Sequence, residues 1–252
     1  MVNFIMSGAC GRMGKVIAEA ASQRSDVNLV CGVDVANDKT DFPLYSDFSS
    51  ITEKADVIID FSNPAALDGL LAYALEHEVP CVLCTTGYSE DQIAAVDKAA
   101  EKIAIFRSGN MSLGINLLIE LSKMASKVFG QDFDVEIVEK HHNKKIDAPS
   151  GTALMIADGI SSVRTDDPEY IYDRHSIRKK RSTNEIGISS IRGGTIVGEH
   201  DVIFAGDNEV LTISHQAQSR NLFAVGAINA AAFLAGKPAG NYDMSDLLKE
   251  RY

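Results

Sequence analysis

The sequence predicts an α/β protein, with a Rossmann-like, doubly wound parallel sheet and a second α+β domain built on a mixed or antiparallel sheet. Three observations carry this. The first half alternates strand-like and helix-like segments, which implies a parallel sheet covered on both faces. A glycine-rich turn joins the first strand to the first helix. Beyond Gly130, strand-like runs follow one another, punctuated by glycine-bearing turns.

Taken in order, residues 2–6 are a short apolar strand and residues 11–22 a helix. Strands are expected at 27–33, 57–61, 79–84 and 103–106, with helices at 64–76 and 89–101 between them. Pro64 after Asn63, and Ser89 before Glu90 and Asp91, are helix-start signals. Residues 112–129 read as a longer amphipathic helix, ended by Gly130. Strands follow at 134–139, 185–192, 196–205 and 210–216. Gly193-Gly194 and Gly206-Asp207-Asn208 are read as the hairpin turns between them. The last helix, 221–234, is rich in alanine and is stopped by Gly236-Lys237-Pro238.

Composition narrows the function classes. With 45% hydrophobic residues the chain folds as an ordinary globular protein. No apolar run reaches the ~18 residues that span a bilayer, and no basic-then-apolar leader precedes the first strand, so a cytoplasmic location is expected. A net charge of −11 repels nucleic acid and anionic membranes, and neither is expected as a partner. Cys81 and Cys84 have metal-site spacing but sit in a strand-like run, where side chains three apart face opposite ways. They are read as buried thiols, and no metal is expected. The basic run of Arg178, Lys179, Lys180 and Arg181 is read as an exposed loop.

Two motifs carry chemistry. In Ser7-Gly8-Ala9-Cys10-Gly11-Arg12-Met13-Gly14 the glycines allow a tight turn and a close approach of backbone to a pyrophosphate. Asp34 ends the second strand about 20 residues on, where a carboxylate binds the ribose hydroxyls of NAD. The loops Cys84-Thr85-Thr86-Gly87 and Ser108-Gly109-Asn110-Met111 follow later strands at the same sheet edge, and are placed beside the nicotinamide. The second motif runs from Glu139 to Thr152. His141, His142, Lys144 and Lys145 precede a Pro149-Ser150-Gly151-Thr152 turn that opens a helix-like run. Imidazoles and ammonium groups handle protons, and a helix N-terminus offers N–H groups to an anion. The pairing suggests a site that grips a carboxylate or phosphate and does acid–base chemistry on it.

With these motifs in order, the sequence resembles the 4-hydroxy-tetrahydrodipicolinate reductase (dihydrodipicolinate reductase) family. Further stretches carry the resemblance: Asp60-Phe61-Ser62-Asn63-Pro64, Thr85-Thr86-Gly87, Asn110-Met111-Ser112-Leu113-Gly114, and Arg192-Gly193-Gly194-Thr195-Ile196-Val197-Gly198-Glu199-His200. The resemblance implies that His141 gives or takes a proton and that Lys145 is a second proton donor. It implies that His142, Ser150, Gly151 and Thr152 hold the carboxylates of a small cyclic dicarboxylate. NADH or NADPH is expected along Gly8, Ala9, Cys10, Gly11, Arg12, Met13, Asp34, Cys84, Thr85, Thr86, Ser108, Gly109, Asn110 and Met111. A homotetramer is implied as well. The dinucleotide-binding domain is expected at 1–112 and 221–252, and a substrate-binding and oligomerisation domain at 113–220.

Three positions depart from the family pattern. Cys84 stands where glycine is common, Met111 where phenylalanine is common, and Val35 where NADPH-preferring members place an arginine. Two other readings compete. A different Rossmann dehydrogenase, such as an acylating semialdehyde enzyme, needs a nucleophilic cysteine in its catalytic domain, yet all four cysteines precede the second domain. A non-enzymatic NAD(H) sensor has no use for His141 and Lys145.

Overall fold

A computed structural model describes residues 1–250 and divides the chain into two compact units, Met1–Leu113 with Asn221–Tyr252, and Gly114–Arg220. The first unit is a seven-stranded parallel sheet with strand order β12-β6-β5-β4-β1-β2-β3. Its strands are β1 (Val2–Ser7), β2 (Val27–Val33), β3 (Leu44–Tyr45), β4 (Val57–Asp60), β5 (Cys81–Leu83), β6 (Ala104–Arg107) and β12 (Gly240–Tyr242). Parallel strands need crossovers, and the helices that supply them cover both faces. On one face, α1 (Arg12–Ser22) and α6 (Asn221–Leu234) pack Ile17, Ala227, Ile228 and Ala231 against Phe4, Met6, Ile59 and Phe106. On the other, α2 (Leu67–Glu76) and α3 (Glu90–Ala100) pack Leu70, Ala74 and Val96 against Ile5, Ile58 and Ile105. Successive strand residues alternate between these two cores, as a pleated sheet buried on both faces requires. Cys81 accordingly enters one core and Cys84 the other, and both thiols are pushed up by burial.

The second unit is a five-stranded mixed sheet, ordered β11-β10-β7-β9-β8. Its strands are β7 (Asp134–His141), β8 (Glu169–Ile171), β9 (Glu185–Arg192), β10 (Gly198–Ala205) and β11 (Val210–Ala217). One face is covered by α4 (Leu113–Phe129) and α5 (Gly151–Ser161), which bury Leu118, Ala125, Ile156 and Ile160 against Ile137, Ile188, Val202 and Phe204.

Two sequence expectations need correction. Gly193-Gly194 is no hairpin turn. β9 runs parallel to β7, and β10 lies on β7's other side, so this segment crosses over β7. Gly206-Asp207-Asn208 does close a hairpin, with Gly206 N–H donating to the Glu209 carbonyl between antiparallel β10 and β11. The sequence expectations do not include the short elements β3, β8, β12 and α7 (Met244–Lys249), nor a short 3-10 turn at Phe48–Ser50. The basic run is not uniformly exposed, because the Arg181 guanidinium folds back onto Glu136 at 2.6 Å.

Candidate active site

The first unit places a cavity at the carboxyl ends of its strands. Gly8 takes a φ of +80°, and an added Cβ there lies 2.6 Å from the Phe61 carbonyl oxygen, so this turn accepts no side chain. The Cys10 N–H donates to Asp34 Oδ2 at 2.9 Å, and Ala36 N–H donates to Oδ1 at 2.9 Å. Asp34 is thereby fixed beside the glycine turn. Gly8, Gly11 and Asp34 line a cavity of about 400 Å³, together with Val35, Asp47, Phe48 and Phe61. That volume lies within the ~300–1,000 Å³ range of small-ligand sites.

A buried carboxylate ties this strand edge together. Asp60, 1% exposed at the end of β4, accepts from Ser7 Oγ at 2.6 Å, Ser62 Oγ at 2.6 Å and Tyr88 Oη at 3.3 Å. Through Tyr88 it anchors the loop after β5. Thr85, Thr86, Ser108 and Gly109 line a common groove with Tyr88 and Arg107. The other expected cofactor residues are placed differently. Ala9, Cys84 and Met111 are buried in the core, and Met13 packs against it. Asn110 shapes its loop by accepting from Ser112 N–H at 2.9 Å, and Arg12 is exposed at the start of α1.

In the second unit strand register assembles a charged cluster. Residues two apart on a strand share a face, so Glu139 and His141 of β7 point the same way. β10 places His200 opposite Glu139, and β9 places Arg192 opposite His141. Glu139 has no exposed surface, and its two oxygens accept from Arg192 Nη1 and Nη2 at 2.8 and 2.7 Å. Such a fork-to-carboxylate pair is strong and directional. Burial raises the Glu139 carboxyl, but Arg192 and His141 outweigh it and hold the group at about 2. It also accepts from Ser150 N–H at 3.1 Å.

His141 Nδ1 lies 2.6 Å from Glu139 Oε2. An ionised carboxylate only accepts, so Nδ1 carries the proton and Nε2 is left as the reactive nitrogen. Burial lowers the His141 pKa against the opposing pull of Glu139, which leaves the ring neutral near pH 7. Gly198 of β10 packs beside that nitrogen, and a Cβ there lies 3.0 Å from Nε2. Lys145 Nζ pairs with Asp147 Oδ1 at 2.9 Å. Asp147 is in turn tied back, its carbonyl accepting from Arg192 Nη2 at 2.6 Å.

Ser150 does not present its own donors to a ligand. It is 2% exposed and caps α5, its Oγ accepting from Ala153 N–H at 3.1 Å and lying 3.1 Å from His200 Nε2. Gly151, the first helical residue, is exposed with open space around its Cα. Its N–H is one of those a helix start leaves without an intrahelical partner. His142 is half-buried, and its Nδ1 has no hydrogen-bond partner. Glu139, Arg192 and His200 were given no role from sequence, although all three lie in the segments quoted above. Their signal was charge and imidazole at alternating positions of three neighbouring strands.

Residues 2–111 match the family described as dihydrodipicolinate reductase, N-terminus, and residues 114–248 match dihydrodipicolinate reductase, C-terminus. The chain belongs to the dihydrodipicolinate reductase family. A 4-hydroxy-tetrahydrodipicolinate reductase of Caldanaerobacter subterraneus subsp. tengcongensis is 54% identical over 250 residues, covering 99% of each chain. That of Clostridium tetani is 47% identical, over 98% of this chain and 97% of its own. A dipicolinate-bound dihydrodipicolinate reductase from Paenisporosarcina sp. TG-14 has the same fold, with a TM-score of 0.82 over 96% of this chain and 97% of that one, at 23% identity.

Proposed function

We propose that this dihydrodipicolinate reductase family member reduces 4-hydroxy-tetrahydrodipicolinate to tetrahydrodipicolinate with NADH or NADPH, in the diaminopimelate route to lysine. The observation that carries this is the 54% identity, across the full chain, to a protein of that name. The reaction takes up one hydride and one proton and releases one water. Reduced nicotinamide supplies the hydride when it is bound. The glycine turn and Asp34 fit a dinucleotide, since the turn leaves its backbone bare and the carboxylate is already oriented.

The second unit's residues handle the acid and the proton. Gly151 and Thr152 at the start of α5, with His142, hold a substrate carboxylate, and the helix dipole favours that charge. Lys145 delivers the proton as an ammonium group. His141, neutral and with Nδ1 committed to Glu139, accepts at Nε2 and relays protons to and from solvent. Ser150 acts behind them, as the cap that fixes the helix start. In the same reading the protein is a cytoplasmic homotetramer. Its edge strand β11 leaves Val210 and Leu211 exposed, which supports self-association.

Freshly prepared cyclic substrate, added to the protein with NADH, should bleach the reduced-nicotinamide absorbance. A semialdehyde dehydrogenase leaves that signal untouched with this substrate, and so does a nucleotide sensor. Either outcome would remove the proposed activity.

A further inference from the structure

β3 lies at the edge of the first unit's sheet and pairs in parallel with β2, Val33 opposite Tyr45. The pairing runs on past the strand ends, with the Asp34 N–H donating to the Tyr45 carbonyl at 3.0 Å. Just past the strand ends, Asp34-Val35 and Ser46-Asp47 all line the same cavity. Asp47 therefore lines the same cavity as Asp34, two residues past the end of the neighbouring strand.

Its carboxylate is built to stay charged there. Ser46, Ser49 and Ser50 donate hydroxyl hydrogen bonds to it, the Ser46 and Ser50 contacts running from 3.1 to 3.3 Å, and together they hold its pKa below the usual carboxylate value. Among the described residues, no lysine or arginine lines this cavity. Lys39 lines a different cavity, and Lys15 is paired with Asp38 at 2.7 Å. Val35, at the position where a guanidinium could stand, is 93% exposed and apolar.

We infer that Asp47 is a cofactor-selecting residue: with Asp34 it makes one wall of the nucleotide cavity doubly anionic and turns away the 2′-phosphate of NADPH. This rests on the reading of the cavity as a dinucleotide site. The phosphate adds about two negative charges near neutral pH, which two carboxylates on the cavity lining repel. NADH carries hydroxyls at that position and meets acceptors instead.

Equilibrium binding of NADH and NADPH, followed by nicotinamide fluorescence on wild-type protein and Asp47→Asn, tests the assignment without any turnover. The amide keeps an oxygen acceptor for the serine hydroxyls and removes the charge. The ratio of the two dissociation constants should move toward NADPH by about fivefold to tenfold in low salt. A ratio within about twofold of wild type overturns the role of Asp47. Should the variant not fold, the wild type alone still decides. Added salt should narrow the gap between NADH and NADPH, because screening relieves repulsion. A gap that widens with salt means a cation grips the phosphate, and overturns it too. If neither nucleotide binds, the dinucleotide reading fails together with the inference; failure of the substrate assay alone leaves it standing.

Discussion

His141 Nδ1 sits 2.6 Å from Oε2 of Glu139, a carboxylate with no exposed surface that is also clamped through both oxygens by Arg192. The relationship decides the chemistry available to the imidazole. Glu139 can only accept, so it fixes which nitrogen is protonated, and Arg192 fixes Glu139. In Glu139→Gln the amide can turn its NH₂ toward Nδ1 and favour the opposite tautomer. We expect kcat to fall at least about tenfold. Stability should drop by about 1.5–3 kcal/mol, because Arg192 loses its charged acceptor. A purely structural role predicts only the second effect. Glu139 raises the His141 pKa, so the acidic limb of the kcat/KM profile should also move to lower pH in the variant. An unmoved limb would show that Glu139 does not act through His141.

The proposed function gives Lys145 and His141 different proton roles. Lys145→Ala removes the ammonium group, and kcat should fall by about 100-fold or more, as for a positioned general acid. His141→Ala should also depress kcat. Neither residue belongs to the unit that carries the glycine turn, so the dissociation constant for NADH should hold in both variants. Near-normal turnover in the two together would remove them from the mechanism.

How much of this was legible in the sequence follows from where each interaction lives along the chain. The crossover unit around Gly8 and Asp34 was readable because turn, strand end and helix start lie within about 30 residues and obey local rules. The turn from His142 into α5 was readable for the same reason. The clamp was not, since Glu139 and Arg192 are 53 positions apart and meet only through the β7–β9 register. The same register explains the hairpin expected at Gly193-Gly194. Two glycines between strands signal a reversal, but β7 already occupies the place beside β9. Strands as short as β3 and β12 carry too few residues to show a period, although β3 is what delivers Asp47 to the cavity.

The carboxylate grip makes a prediction about inhibitors. In the proposed function Gly151, at the start of α5, and the half-buried His142 offer donors to one carboxylate of a flat dicarboxylate. Pyridine-2,6-dicarboxylate should inhibit competitively with the cyclic substrate. Since Gly151 contributes backbone rather than side chain, Thr152→Val should weaken inhibition modestly, about threefold to tenfold for one lost hydrogen bond. His142→Ala should weaken it as well. Inhibition that competes with the nucleotide alone would place the dicarboxylate elsewhere.

His200 predicts an acid limit to stability. It is 4% exposed, its Nδ1 has no hydrogen-bond partner, and burial pushes its pKa down to about 4. His141, His215 and Lys145 push the same way, while Glu139 opposes them. A histidine with a lowered folded-state pKa stays neutral in the fold and takes up a proton on unfolding. Its contribution is therefore fully present above the unfolded value near 6.5, and is lost as pH falls from there toward 4. Glu139 adds a second window in the same direction, its stability lost as pH falls from 4.5 toward 2. Between pH 7 and pH 5 the Glu139 window stays closed, and the His200 contribution to the loss of stability should be about 2 kcal/mol. Urea unfolding of wild type and His200→Gln at the two pH values measures this. Glutamine can still reach Ser150 but does not titrate, so the variant should lose less stability than wild type on acidification, by about that amount. Equal losses in the two proteins would mean that His200 is protonated in the folded state, and that its burial does not control the acid response.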